Sequence, residues 1–232
     1  MIEIEKLSIK YGGDVILKDF DLSVNEGEFV TVLGRSGSGK TTLLNTIAGT
    51  VRQNSGIVTV NGKRVDGISS HVAYMPQDDL LLPWKNVFNN VTLYGKVNSG
   101  AAISRDNVLT ELDAFGLRGY EDKFPGELSG GMRQRAAFLR TAMCGAADTL
   151  LLDEPFASLD IITRKEMQEW LLKMKNRLGR TVLMVTHDVD EAMVLSDRII
   201  VLAGKPAVIK REFKISDGES IKDFKDMIWG IL

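Results

Sequence analysis

Three short runs of this chain carry residue types that could bind and act on a phosphorylated ligand. The first, GRSGSGKT at 34–41, matches G-x-x-x-x-G-K-[ST], and it lies between an apolar run and a helix-like pattern from Lys40 to Ala48. Its glycines let backbone N–H groups converge on a phosphate with no side chain in the way. Lys40 offers a point charge to the outer phosphates, Thr41 a hydroxyl for Mg2+, and the helix start a partial positive charge. Gly34, Arg35, Ser36, Gly37, Ser38, Gly39, Lys40, Thr41 and Thr42 are therefore the candidate nucleotide-binding run. The second, TLLLDEP at 149–155, delivers Asp153 and Glu154 to the C-terminal end of a buried strand. Asp153 is the natural Mg2+ partner, and Glu154 the candidate base that orients or deprotonates water. The third, TVLMVTHD at 181–188, ends on His187, placed on the same edge, where an imidazole can donate to a γ-phosphate. His71, at the start of its own strand, reads as structural.

LSGGMRQR at 128–135 adds a second phosphate cradle: Ser129, Gly130 and Gly131 open a helix far along the chain from the first loop. One nucleotide already has its phosphates held by 34–41. A second cradle makes sense if it closes over a nucleotide held by another copy.

The elements that must position these residues alternate. Ile2 and Ile4 alternate with Glu3 and Glu5, as on a half-buried strand. GEFVTVLG (27–34), HVAYM (71–75), TLLLDEP, TVLMVTH and RIIVLA (198–203) read as strands, and Asn61-Gly62 between IVTV and KRV reads as a hairpin turn. Met167, Trp170, Leu171, Met174 and Leu178 share one face of a predicted helix. The expected fold is α/β, with a largely parallel sheet, an N-terminal antiparallel β subdomain and an inserted helical subdomain from Asp78 to about Ala142, within one domain spanning 1–232. Loops rich in Gly, Ser and Asn are expected at 95–101 and 116–131.

Composition narrows the function classes. A net charge of −2 provides no field for unselective nucleic-acid binding, so no nucleic-acid partner is expected, and Arg133, Arg135 and Arg140 read as a solvated helical face. The single cysteine, Cys144, cannot form an internal disulfide and reads as an inert buried thiol. The opening residues do not read as a signal peptide, and no apolar run is long enough to span a bilayer, so any work at a membrane is done from outside it. The final residues, with Ile221, Phe224, Ile228 and Ile231 at helical spacing, are expected to pack on the same domain and to leave no room for a regulatory one.

These motifs, in this order and over essentially the whole chain, resemble the ATP-binding cassette (ABC) ATPases, the nucleotide-binding subunits of ABC transporters. LSGGMRQR matches the family signature. The resemblance implies a P-loop NTPase core of the RecA type, with ATP and Mg2+ as ligands. It makes Tyr11 the aromatic residue that stacks on adenine, and Gln77 a catalytic-site glutamine that contacts Mg2+ and water and senses the membrane partner. Thr41, Gln77 and Asp153 become the metal set, with Glu154, His187 and Gln77 the catalytic set. Ser158, Leu159 and Asp160 become the D-loop at the dimer interface. Two cassettes, most simply a homodimer, then sandwich two ATP molecules, each between one chain's 34–41 loop and the other's 129–131 turn.

A narrower likeness lies in LLPWKNVFNNV, which is similar to the LLPW-x-x-V-x-x-N-V pattern of nitrate, sulfonate and taurine importer ATPases, whose relatives also serve thiamine- or pyrimidine-precursor uptake. It implies a peripheral subunit on the cytoplasmic face of the cell membrane, docked on a permease and, through it, on a solute-binding protein. Leu80 to Trp84 would then divide between internal packing and the permease's coupling helix. Asp78 and Asp79 depart from that group's pattern, as does Ser158, where alanine is common. An exporter subunit, a soluble non-transport ABC ATPase and a non-catalytic cassette are the competing readings; intact Glu154 and His187 oppose the last.

Overall fold

The computed structural model describes residues 1–94, 104–145, 147–215 and 221–231. Its centre is a six-stranded sheet in which β3 (Phe29–Gly34), fully buried, lies between β8 (Thr181–Thr186) and β9 (Arg198–Ala203). β7 (Thr149–Asp153) and β6 (Val72–Met75) extend it on one side, and β10 (Val208–Lys214) closes the other. All pairs are parallel except β9–β10. The near-continuous Val, Leu and Ile runs form β3, β7, β8 and β9 because both faces of the sheet are covered there and no position needs to be polar.

Parallel pairing has one consequence for function. The ends of β3, β7, β8 and β6 arrive on the same edge, where a ligand of such a sheet belongs.

A second, four-stranded antiparallel sheet holds β1 (Ile2–Tyr11), β2 (Asp14–Val24), β4 (Ser55–Val60) and β5 (Lys63–Arg64). The alternation seen at Ile2 and Ile4 does not continue evenly. Lys6, at φ 49°, marks a register shift, after which Leu7 and Ile9 return to the buried face. The predicted hairpin forms at Asn61 and Gly62, both at positive φ. This sheet packs through Leu7, Phe20 and Val58 on the core that also holds Leu43 and Ile47 of α1 (Lys40–Ile47).

The middle of the chain carries α2 (Val87–Val91), α3 (Arg105–Ala114) and α4 (Gly130–Ala142) around a separate apolar cluster. Here two expectations fail. Helix does not begin at Asp78: residues 78–86 precede α2, Leu80 has φ 41°, and Pro83 lacks an amide for helix. The buried Asn90 side chain holds this segment, accepting from Leu82 N–H at 2.8 Å and donating to three carbonyls, including Lys85 O at 2.9 Å.

Nor are the three arginines a solvated face. Arg140 is buried, with Nη1 donating to Leu80 O at 2.7 Å and Nη2 to Asp79 O at 2.8 Å. Arg133 pairs with Asp79 at 3.0 Å, and Arg135 donates to Phe115 O. The sequence pattern missed this because their acceptors, the Asp79 carboxylate and the carbonyls of Asp79, Leu80 and Phe115, lie far along the chain.

The segment 95–101 lies outside the described residues. From 116 to 131 the expected loop contains a 3₁₀ turn at Pro125–Glu127. In α5 (Ile161–Leu178), Met167, Leu171 and Met174 are buried and Trp170 packs against them; Leu178's side chain lies outside the described residues. Cys144 is buried. After β8 comes α6 (Val189–Leu195), and the terminal helix α7 (Ile221–Trp229) packs Phe224 and Ile228 against it and β9. Ile231 joins that cluster, and Ile221's side chain lies outside the described residues. Among the described residues no helix is long and apolar enough to cross a membrane.

Candidate functional site

The loop from Gly34 to Gly39 turns β3 into α1. Gly37 and Gly39 lie at φ 76° and 87°, and a Cβ on Gly39 would come within 2.8 Å of Ile16. Only glycine meets both demands at once. No side chain caps α1, whereas Asn86, Ser129, Asp160 and Asp188 each cap the helix they open. The uncapped first-turn amides of α1 point where an anion would sit.

Lys40 is buried beneath the loop, its Nζ donating to Gly34 O at 2.8 Å and Arg35 O at 3.0 Å. Burial pushes its pKa down, against the pull of Glu154 and Asp153. The Ser38 hydroxyl is buried with no hydrogen-bond partner. An orphaned donor in a concave loop is a feature a phosphate oxygen would satisfy. Arg35, Ser36 and Gly37 form the exposed rim, and Thr42 is half-buried.

Asp153 ends β7 almost wholly buried. Thr41 Oγ1 lies 3.3 Å from its Oδ1 and the Tyr74 hydroxyl 3.4 Å from its Oδ2. Burial raises the Asp153 carboxyl, opposed first by the Thr41 hydroxyl, and burial likewise raises the Tyr74 phenol. Next to it, Glu154 adopts φ 46°, a costly backbone for a non-glycine residue, held by its N–H to Val185 O at 3.0 Å. That turn aims its carboxylate across the strand pair: Glu154 Oε2 lies 3.2 Å from His187 Nδ1. The imidazole itself is 64% exposed, open to a ligand on this edge.

The structure thus brings together the 34–42 loop, Asp153, Glu154 and His187. Gln77 is exposed two residues beyond β6, which pairs with β7. Tyr11, 52% exposed, pairs with Asp14 at the end of the strand pair whose Ile16 abuts Gly39. His71 lies at the opposite end of β6, 3.0 Å from Lys63, as a structural residue would.

The 129–131 turn stays apart. Among the described residues no hydrogen bond or ion pair joins it to the 34–42 loop. Ser129 caps α4 by accepting from Met132 N–H at 3.3 Å, and a Cβ on Gly131 would sit 3.7 Å from Leu159. Leu159 is buried while Ser158 and Asp160 are exposed. Asp160 accepts from Thr163 and Ile162 N–H, bonds that hold its carboxyl below the usual range, so it also serves as the N-cap of α5.

Sequence reasoning missed Tyr74, Gln134 (whose Nε2 donates to Pro155 O at 3.3 Å), Arg164 and Glu191. Each acts through a long-range contact that no local spacing announces. Glu191 has a testable consequence. It is 3% exposed, and burial lifts its carboxyl from 4.5 to about 6, against a hydrogen bond from Thr186 and the charge of Arg164.

The folded chain therefore holds this proton more tightly than the unfolded one, so this group costs stability as pH rises from 4.5 through about 6. Glu191→Gln removes that titration. Relative to the parent, the variant is expected to gain on the order of 2 kcal/mol between pH 4.5 and pH 7, at about 1.4 kcal/mol per pKa unit. Urea denaturation at both pH values measures it, and a difference independent of pH would refute the assignment.

Comparison with known proteins agrees with this geometry. A family model described as "ABC transporter" matches residues 17–157. The chain is 44% identical to an aliphatic sulfonates import ATP-binding protein of Rhodococcus jostii, over 92% of this chain and 83% of that one. It is 41% identical to a nitrate import ATP-binding protein of Synechocystis, over 89% and 78%. With a taurine import ATP-binding protein of Escherichia coli O157:H7 the identity is 37%, over 97% and 91%. Among solved structures it superposes, at a TM-score of 0.83 and 29% identity, over 93% of its length and 99% of the other's, on the ATP-binding cassette MJ0796, a dimer in a post-hydrolysis state bound to ADP and Pi. A glycine-rich loop over a buried lysine, two carboxylates and a histidine on one sheet edge, and relatives that share most of the chain have one reading: this chain belongs to the ABC transporter family of ATP-binding proteins.

Proposed function

We propose that this chain binds and hydrolyses ATP to energise an ABC importer of a small solute, of the sulfonate, nitrate or taurine type. It would work as a pair of cassettes on the cytoplasmic face of a membrane permease, which in turn meets a solute-binding protein. The observation that carries the hydrolytic half is the convergence of Lys40, Asp153, Glu154 and His187 on one edge of the sheet. The importer half rests on the relatives named above.

Lys40 and the uncapped amides of α1 hold the β- and γ-phosphates, and Tyr11 stacks on the base. Oxygen donors from Thr41 and Asp153, with Gln77 above them, suit Mg2+. Among the described residues no cluster of three or more His, Cys, Asp or Glu could cage a metal, which fits a cation held largely by phosphates and water. When bound, that cation would neutralise charge on the phosphates. Glu154 accepts or orients the proton of the attacking water, and His187, steadied by Glu154, donates to the γ-phosphate. Ser129, Gly130 and Gly131 would close over the ATP of a second copy, with Ser158, Leu159 and Asp160 between the two; the dimeric likeness of MJ0796 supports this.

Leu80 and Trp84 are the proposed permease contact. They stand 60% and 71% exposed while Leu81 between them is buried, and Arg140 and Asn90 fix the backbone that presents them. A rigidly held, exposed aromatic is the anchor a helix-in-groove interface would use. The test is tagged purification from native membranes in mild detergent, with identification of what co-purifies. A polytopic permease is expected. Trp84→Ala should weaken that association by at least about tenfold, the scale of an interface hot spot, without changing ATP binding. Recovery of soluble partners or nucleic acid alone would favour a non-transport ATPase.

A further inference from the structure

The turn that presents His187 is fastened to the 158–160 loop by charged side chains for which the hydrolytic chemistry has no use. Thr186 and Asp188 flank the histidine. Thr186 Oγ1 donates to Glu191 Oε2 at 2.7 Å and accepts from Asp188 N–H at 3.1 Å. Asp188 in turn caps α6, accepting from Asp190 and Glu191 N–H at 2.8 and 3.3 Å.

Arg164, in the first turn of α5, reaches both carboxylates and the loop. Its Nη1 donates to Asp188 Oδ2 at 3.3 Å, its Nη2 to Leu159 O at 3.4 Å, and its Nε faces Glu191 Oε1 at 3.7 Å. Nε is buried and makes no hydrogen bond, so a small approach of the two helices would convert that ion pair into one. The backbone N–H of Arg164 donates to Asp160 O at 2.9 Å, which ties the base of that side chain to the loop.

We propose that Arg164 and Glu191 are positioning residues that hold the His187 turn in register with the 158–160 loop, so that a shift of the loop on pairing with a second cassette reaches the imidazole. The inference rests on the cassette-pair reading above. Its physical basis is cost. A carboxylate almost wholly removed from water is expensive, and apolar packing between α5 and α6 would hold these elements more cheaply. A guanidinium can serve three acceptors in a fixed plane, which an ammonium cannot.

The chain contains two histidines, so the imidazole C–H resonances of His187 can be followed by NMR with His71, at the other end of the sheet, as internal control. Arg164→Ala is expected to move the His187 resonances while leaving those of His71 unmoved. Glu191→Gln, which keeps an acceptor for Thr186, should do the same to a smaller extent. In turnover, Arg164→Ala should lower kcat between about 10- and 100-fold with little change in KM, the cost of a misplaced catalytic group. The same substitution in a His187→Ala background should then cost almost nothing more, because both act on one step.

Unmoved His187 resonances in a folded Arg164 variant, or full additivity of the two kinetic losses, would overturn the proposal. A parent chain with no ATPase activity would instead overturn the reading of its function, and the NMR comparison would still decide the brace.

Discussion

Glu154→Gln is expected to lower ATP turnover by roughly 10²–10⁴, the usual loss on removing a general base, while ATP binding stays close to that of the parent. The geometry gives the reason for both halves. Glu154 sits at φ 46° with its carboxylate 3.2 Å from His187 Nδ1, where a neutral amide keeps the shape and a hydrogen bond but cannot take a proton. The groups proposed to hold phosphate lie elsewhere, on Lys40 and the amides of α1, and are left untouched by the change. Such a variant should also keep ATP long enough for the cassette pair to be isolated. Single-turnover hydrolysis and equilibrium nucleotide binding measure the two effects separately. Hydrolysis near the parent rate would remove Glu154 from the water-handling role.

Ser129→Arg should be comparably damaging by a different route. Ser129 lies outside the 34–42 loop of its own chain, so the variant monomer should bind ATP as the parent does. Turnover should nevertheless be nearly abolished, because a guanidinium would fill the position proposed to face the partner's γ-phosphate. Part of any loss could come from the helix, since the Ser129 hydroxyl caps α4 and losing it costs about 1 kcal/mol. Ser129→Ala separates the two, removing the cap without adding bulk. Full turnover by Ser129→Arg would show that each nucleotide is handled within one chain.

Much of this was legible in the residue order. Strand runs put Asp153, Glu154 and His187 on one edge, because parallel strands entering from one side must end together, and the glycine-lysine pattern marked the 34–42 loop. The hairpin at Asn61-Gly62 followed from local chemistry. What failed also failed for physical reasons. The segment after Gln77 reads as helix by composition, yet Pro83, the strained Leu80 and the Asn90 side chain make it a fixed loop. Arg133, Arg135 and Arg140 look like a solvated stripe, yet their acceptors are Asp79, Leu80 and Phe115, and no periodicity carries that information.

The sequence by itself picked out the groups proposed to meet phosphate, metal and water, and a second candidate cradle at Ser129. Tertiary structure alone decided how those groups are held. It put Tyr74 against Asp153, folded Glu191 and Arg164 around the His187 turn, and left Leu80 and Trp84 outside while burying Leu81. Motifs are local because a phosphate is bound by consecutive backbone amides. Support is non-local because a buried polar group takes whichever partner the packing brings within reach.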